Sequence, residues 1–317
     1  MEEKFEKLRM LLNDHLIKGG IFIDKIKWNK VWSCMDVLED TQLAIDSYFE
    51  EYPKFISDGV RYLLLYGLLQ GFFLQQDALN NLHLALFDEM IDWKKDYPSL
   101  YEIRELRNDA IGHPTSRGKD ESFHFISRIS LSKDSFNLTS YFPKAEKVED
   151  RFKSRDINLI EIRDKQREAV GIILDKVIGL LEEKIRGHKM KFKGKKLMDI
   201  FEREDCDHYI EKLFEALYSD NEGKQKQAEI AFKRLKEILE EIKVEINKRY
   251  PFLEFKPGLK SVIDDIDYVF SKISKFLEEG KLYGSKDAEI FIENFKKRFE
   301  ELREMMKEID DEFGEVE

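Results

Sequence analysis

Cysteine is nearly absent from this chain: Cys34 and Cys206 are the only two in 317 residues, and they lie far apart. Neither a disulfide framework nor a zinc knuckle is suggested by that pair, and a reducing cytoplasm is the expected setting. Proline is scarce as well, with six in all, so little interrupts a helix. The longest apolar run, Val60 to Leu74, is shorter than a bilayer span and carries Arg61 and Gln70. It reads as a buried core helix, and no membrane role is expected. The opening Met1-Glu2-Glu3-Lys4-Phe5 lacks the cationic then apolar order of a secretion signal. Positive charge is in deficit: the formal net charge is −11. That argues against a protein that coats nucleic acid indiscriminately, because such binding draws its affinity from many Lys and Arg neutralising phosphates. Any nucleic-acid site has to be local.

What the chain does have is charge and helical spacing. Charged residues reach 38% beside an ordinary 42% hydrophobic content, the balance of long amphipathic helices with solvated faces. The expected fold is mostly α: an antiparallel helical bundle with an inserted β-hairpin, followed by a second C-terminal helical bundle. Val31, Cys34, Met35, Leu38, Leu43, Ile45 and Phe49 predict a first helix that Tyr52-Pro53 closes. A long, mostly buried helix follows from Asp58 through Leu65, Leu69 and Phe72 to Leu86. Pro98-Ser99 starts another, which Gly112 and Pro114 end. The period then changes, with Phe123, Phe125, Ile129 and Leu131 alternating with polar residues, and Phe136, Leu138 and Phe142 doing the same. That predicts a β-hairpin at about 122–142. Helical spacing returns from about Asn158 to Ile185.

Lys184, Arg186, Lys189, Lys191, Lys193, Lys195 and Lys196 then arrive with no acid between them, and Gly187 and Gly194 act as breakers. Residues 187–196 read as a basic linker between a domain of residues 1–186 and a bundle of residues 197–317. That bundle is expected to hold one helix around Leu197 to Leu217 and three strongly amphipathic ones, built on Ile230 to Ile246, Val262 to Leu277 and Phe291 to Ile309. It contains no recognisable motif.

The most distinctive stretch is Arg104-Glu105-Leu106-Arg107-Asn108-Asp109-Ala110-Ile111-Gly112-His113-Pro114. It resembles the signature of the HEPN superfamily, an arginine usually followed at once by Asn, Asp or His, with a histidine a few residues on near a helix end. Arg107, Asn108 and His113 match those roles, and the order of long helices around them agrees over roughly residues 28–186. The resemblance implies a metal-independent endoribonuclease with no cofactor, acting as a homodimer through the N-terminal domain. It further implies RNA as substrate, a role as a toxin or in defence, and a protein antitoxin as partner. Two other readings stay open: a non-catalytic module that binds RNA or a nucleotide or serves dimerisation, and a helical interaction scaffold in which the motif is structural.

The chemistry supports such a pair independently. When the 2′-hydroxyl of RNA attacks its own phosphodiester, a proton leaves the nucleophile, charge builds on the phosphoryl oxygens, and the departing 5′-oxygen takes up a proton. Imidazole suits both proton steps and guanidinium suits the charge. The clustered carboxylates of a two-metal nuclease are missing from the sequence. Geometry adds a condition: on an ideal helix Arg107 and His113 differ by about 120° in azimuth. Either the helix ends at Gly112 and frees His113 to swing back, or a second subunit completes the cleft. Arg104, Arg117, Lys119, Lys189 and Lys191 are the expected phosphate contacts, with Phe192 offering a ring for base stacking. Gln75, Gln76, Asp77 and Asn80 are expected to bond across helices or to the motif arginines. Asp205, Cys206, Asp207 and His208 are read as surface and not as a metal shell, since consecutive helical residues point apart.

Overall fold

A computed structural model describes residues 1–14, 16–18, 24–116, 121–250 and 252–314. The chain divides into two compact units, one of Met1–Leu11 with Asp24–Leu180 and one of Leu12–Ile23 with Leu181–Glu317. Among the described residues no helix is long and apolar enough to cross a membrane.

In the first unit, α1 (Glu2–Asn13) precedes α2 (Lys25–Glu50) and α3 (Asp58–Phe87), and the last two pair along their length. Each long helix begins on a side chain that meets an otherwise orphan backbone N–H. Asp24 accepts from Ile26 and Ser57 from Val60. Their shared core is Val31, Met35 and Leu38 of α2 against Leu65, Leu69, Phe72, Leu79 and Leu82 of α3, all at or near zero exposure. The short α4 (Trp93–Asp96) leads into α5 (Pro98–Arg107), where Pro98 stands in the first helical turn that tolerates its missing N–H. Ten residues are too few for a stable helix alone. Leu100, Ile103 and Leu106 of α5 are buried, and each such burial is worth roughly 1.5–3 kcal/mol, so packing holds α5 in place.

The expected hairpin is a three-stranded antiparallel sheet in the order β1 (Phe123–Ile126), β2 (Ser135–Tyr141), β3 (Phe152–Asn158). The third strand escaped the sequence pattern for a physical reason: its seven residues are nearly all exposed, so no alternation of apolar and polar residues marks it. It is an edge strand specified by its partner. Phe136 and Leu138 of β2 are buried on one face, and two tyrosines tie the sheet to the long helices. Tyr48 donates to the Lys133 carbonyl at 3.0 Å and Tyr62 to the Ile126 carbonyl at 3.3 Å.

α6 (Leu159–Met190) starts directly after β3, and the division between the units falls inside it, at Leu180/Leu181. Of the linker expected at 187–196, residues 187–190 are the end of α6, and 191–196 form a turn that is exposed apart from the half-buried Phe192. Lysines and arginines on one side do not end a helix whose other side stays apolar, and Gly187 costs only about 1 kcal/mol against alanine. After α6, Gly194 takes a left-handed conformation (φ 75°) that glycine adopts without strain. Phe192 packs at 5.5 Å from Phe313 and 4.6 Å from the guanidinium of Arg249. Arg249 is 1% exposed, and it donates to the Lys195 carbonyl at 2.5 Å and the Glu245 carbonyl at 3.1 Å.

The rest of the second unit is the expected bundle, with one difference. In place of a single helix from Leu197 to Leu217 there are α7 (Met198–Arg203) and α8 (Cys206–Leu217). The break is local: Asp205 turns out of the helix and accepts from the His208 N–H at 3.0 Å. α9 (Glu222–Arg249), α10 (Pro257–Glu278) and α11 (Lys286–Gly314) follow, α8 packing on α9 and α10 on α11. Asp310 of α11 reaches back to accept from the Leu197 and Met198 N–H groups at 2.7 and 2.9 Å, supplying the start of α7 with the cap its own sequence lacks.

Candidate functional site

The site is laid out by two helix stripes. Gln70, Phe73 and Asp77 follow one another on α3 at spacings of three and four residues, and so share a face. Arg104 and Arg107 share a face of α5 beside the buried Leu100, Ile103 and Leu106. The stripes meet in opposite order. Arg107 donates through Nε and Nη2 to Gln70 Oε1, at 3.1 and 2.8 Å. Arg104 pairs with Asp77 at 2.8 Å and donates to Gln76 Oε1 at 3.5 Å. Between them lies the ring of Phe73, with the two guanidinium carbons 4.2 and 4.4 Å from its centroid. Each cation is thus packed on a π-face as well as hydrogen-bonded.

Behind the arginines is a layer of buried amides. Gln76 donates to Gln166 Oε1 at 2.8 Å, while Gln166 donates to Gln75 Oε1 at 3.0 Å and to the Phe72 carbonyl at 3.2 Å. Gln75 donates onward to Gln42 at 3.2 Å. Gln75, Gln76 and Gln166 are all 1% exposed or less. The expectation of cross-helix bonds and bonds to an arginine is met for Gln75, Gln76 and Asp77. Asn80 instead accepts from the Ile91 N–H at 2.8 Å. Gln42 and Gln166 have no signal in the sequence, and Gln70 stands out only as a polar interruption of the apolar run, because an isolated glutamine on a helix has no pattern.

The segment after Arg107 is not α-helix. Asn108–Gly112 forms one π turn, closed by the bond from the His113 N–H to the Asn108 carbonyl at 2.7 Å. A bond to the fifth residue back widens the turn by one residue. It brings Gly112 over the Arg107 side chain: a Cβ at Gly112 would stand 2.7 Å from Arg107 Nη1 and 3.3 Å from Asn108 Oδ1. Asn108 holds both ends of the motif, since its side chain accepts from Arg107 Nη1 at 3.2 Å while its carbonyl holds the His113 backbone. His113 has left the helix, with φ −137° and ψ 52°, and its side chain is exposed. Among the described residues its ring makes no hydrogen bond or ion pair.

The guanidinium has five N–H donors, and Nε, Nη1 and Nη2 each direct one at Gln70 or Asn108. Among the described residues two donors remain, one on each terminal nitrogen, the number that two phosphate oxygens can use. Arg104 differs. Its side chain is 19% exposed and its charge is met by Asp77, so it braces the site instead of reaching outward.

The sheet abuts the π turn. Asp109, 13% exposed, pairs with Arg155 of β3 at 3.1 Å and lies 3.6 Å from the buried His124. His124 bonds through its two ring nitrogens to the hydroxyls of Ser140 and Ser122, at 2.8 and 3.0 Å. An Asp, a His and a Ser brought into a row have the make-up of a hydrolase triad, but Ser140 and Ser122 are both buried. The group locks β1 and β2 to the motif.

Arg117 and Lys119 lie outside the described residues. Lys189 and Lys191 belong to the second unit, on the last turn of α6 and the turn after it. Phe192 is packed against Phe313, His188 and Arg249 and does not offer a free ring. In the Asp205–His208 stretch Asp205 caps α8, and burial pushes the Cys206 thiol up to about 11, away from the thiolate a metal ion takes. No protein-family model, no curated protein and no solved structure matches the chain.

Proposed function

We propose that the first unit is an endoribonuclease of HEPN type, working in the cytoplasm on RNA, with Arg107, Asn108 and His113 as its site. The observation that carries this reading is the hold on Arg107. Gln70, Asn108 and Phe73 fix its guanidinium, Gly112 leaves it room, and the exposed His113 follows Gly112 in the chain. His113 takes the proton from the 2′-hydroxyl as that oxygen bonds to phosphorus. Arg107 stabilises the phosphoryl oxygens as charge builds, and the imidazolium of His113 gives its proton to the departing 5′-oxygen. The products carry a 2′,3′-cyclic phosphate and a 5′-hydroxyl.

A second copy of the chain fits this reading. Leu63 and Leu74 of α3 are 70% and 41% exposed, and they flank Gln70 on the same side of the helix with Gly67 between them. A homodimer through that stripe would bring a second motif to the same cleft and cover an apolar face. The resemblance of the motif further points to a toxin or defence role with a protein antitoxin.

Purified protein incubated with total RNA in EDTA is expected to release cyclic-phosphate ends, and His113→Ala and Arg107→Ala to abolish the release. Cleavage unchanged in His113→Ala would remove the reading. One feature favours a binding module instead: among the described residues the His113 ring has no partner to orient it, whereas general bases are ordinarily held by one. For that module no variant has turnover to lose, and Arg107→Ala lowers RNA affinity alone.

A further inference from the structure

We propose that Asp109 and Arg155 are positioning residues for His113: their ion pair holds the π turn from the sheet side, as Gln70 and Phe73 hold it from α3, and so fixes the backbone from which the imidazole projects. Its bearing on RNA cleavage rests on the reading of Arg107 and His113 as the site.

Arg107 and Asp109 are two residues apart, so on a helical turn their side chains leave at about 200° to one another. Arg107 faces α3, where Gln70 accepts from it and the Phe73 ring lies against it. Asp109 faces the sheet. Its Oδ2 accepts from Nη2 of Arg155 on β3 at 3.1 Å, and its Oδ1 stands 3.6 Å from Nε2 of His124 on β1. These two residues lie on one face of the sheet, the face of the buried Leu138 and Ser140: Arg155 is opposite Leu138, and His124 is opposite Ser140. The carboxylate therefore spans the sheet on a diagonal from one outer strand to the other.

The sheet also holds the chain beyond the turn. The His124 N–H donates to the carbonyl of Pro114 at 2.7 Å, and the His113 N–H donates to the Asn108 carbonyl at 2.7 Å. Backbone bonds thus bracket His113, while among the described residues its exposed ring makes no hydrogen bond or ion pair. The imidazole is placed through the backbone. The frame closes on α3, since Tyr62 of the helix that carries Gln70 donates to the Ile126 carbonyl of β1 at 3.3 Å. One helix anchors both the sheet and Arg107. The ion pair adds little to stability, because the Arg155 side chain is 50% exposed and such pairs are screened by water. The Asp109 carboxylate, 13% exposed, has little water to replace a lost guanidinium. Removing Arg155 is therefore expected to turn the carboxylate outward and take the π turn with it, leaving the unit folded. A displacement of about 1 Å at a reacting group can cost about 100-fold in rate.

The test follows the His113 amide by NMR hydrogen exchange in protein labelled with 15N-histidine, beside steady-state cleavage of RNA. In Arg155→Ala and in Asp109→Ala that amide is expected to exchange about ten-fold faster than in wild type, with the His83 amide of α3 unchanged, and Arg155→Lys to restore the slow rate. In the same two alanine variants kcat is expected to fall about ten-fold at unchanged KM, and the double variant to fall no further, as two halves of one contact do. Unchanged exchange at His113 in both variants overturns the proposal, whether or not the wild type cleaves RNA. Faster exchange at His83 as well, with a lowered melting temperature, also overturns it, because the pair then only supports the fold. A kcat at the wild-type value beside faster exchange at His113 shows the held position to be immaterial and overturns it too. Faster exchange confined to His113 in a protein that cleaves no RNA removes the nuclease reading and upholds the hold on His113.

Discussion

Arg107 is held on three sides, and the fourth contact is the bare Cα of Gly112. A methyl group there would stand 2.7 Å from Nη1, closer than any Cβ tolerates, yet the atom it meets is the end of a flexible side chain. The fold can therefore absorb Gly112→Ala by displacing the guanidinium. The expected outcome is a protein with nearly wild-type thermal stability, within about 1 kcal/mol, whose RNA cleavage or binding falls at least about ten-fold. A variant with full activity would show that the position of the guanidinium is immaterial. The spacing of the motif alone suggested a helix ending at Gly112. It carried no sign that the ending is a π turn, because five residues closed by a bond to the fifth residue back look in sequence like any α-helical turn.

Among the elements, α3, α5 and α6 are coupled through amides as well as apolar contacts. Gln166 of α6 bonds to both Gln75 and Gln76, in a layer with almost no access to water. Gln166→Leu would preserve volume but leave a donor of Gln76 and an acceptor of Gln75 unpaired, each at about 1–3 kcal/mol. Urea unfolding should show a loss of roughly 2–4 kcal/mol; a loss below about 0.5 kcal/mol would mean that the layer is hydrated or slack. Arg249 plays a similar part in the second unit, beneath the turn that follows α6. Its hydrogen bonds to the Lys195 and Glu245 carbonyls and its contact with Phe192 should make Arg249→Met destabilising by about 2–4 kcal/mol in the same measurement.

For the molecule as a whole, a net charge of −11 restricts how RNA can be held. If Arg107 makes the main phosphate contact, few counterions are released. Log affinity for a single strand should then fall with log salt at a slope of about −1 to −3, measured by anisotropy across a salt series. A much steeper slope would move the contacts to an extended basic surface such as Lys184–Lys196. Helical period, caps and proline positions determined from sequence alone that α2, α3 and α6 are long, that α5 begins at Pro98, and that the C-terminal half is a bundle. These are local properties, set by which residues recur every three or four places. Tertiary structure decided the rest: the exposed strand β3, the capped start of α7, the packing of Phe192, and the partners of Arg107. Each depends on a residue distant in the chain, Tyr141 for Phe152, Asp310 for Leu197, Phe313 for Phe192, Gln70 for Arg107. No local pattern records a contact made across such a separation.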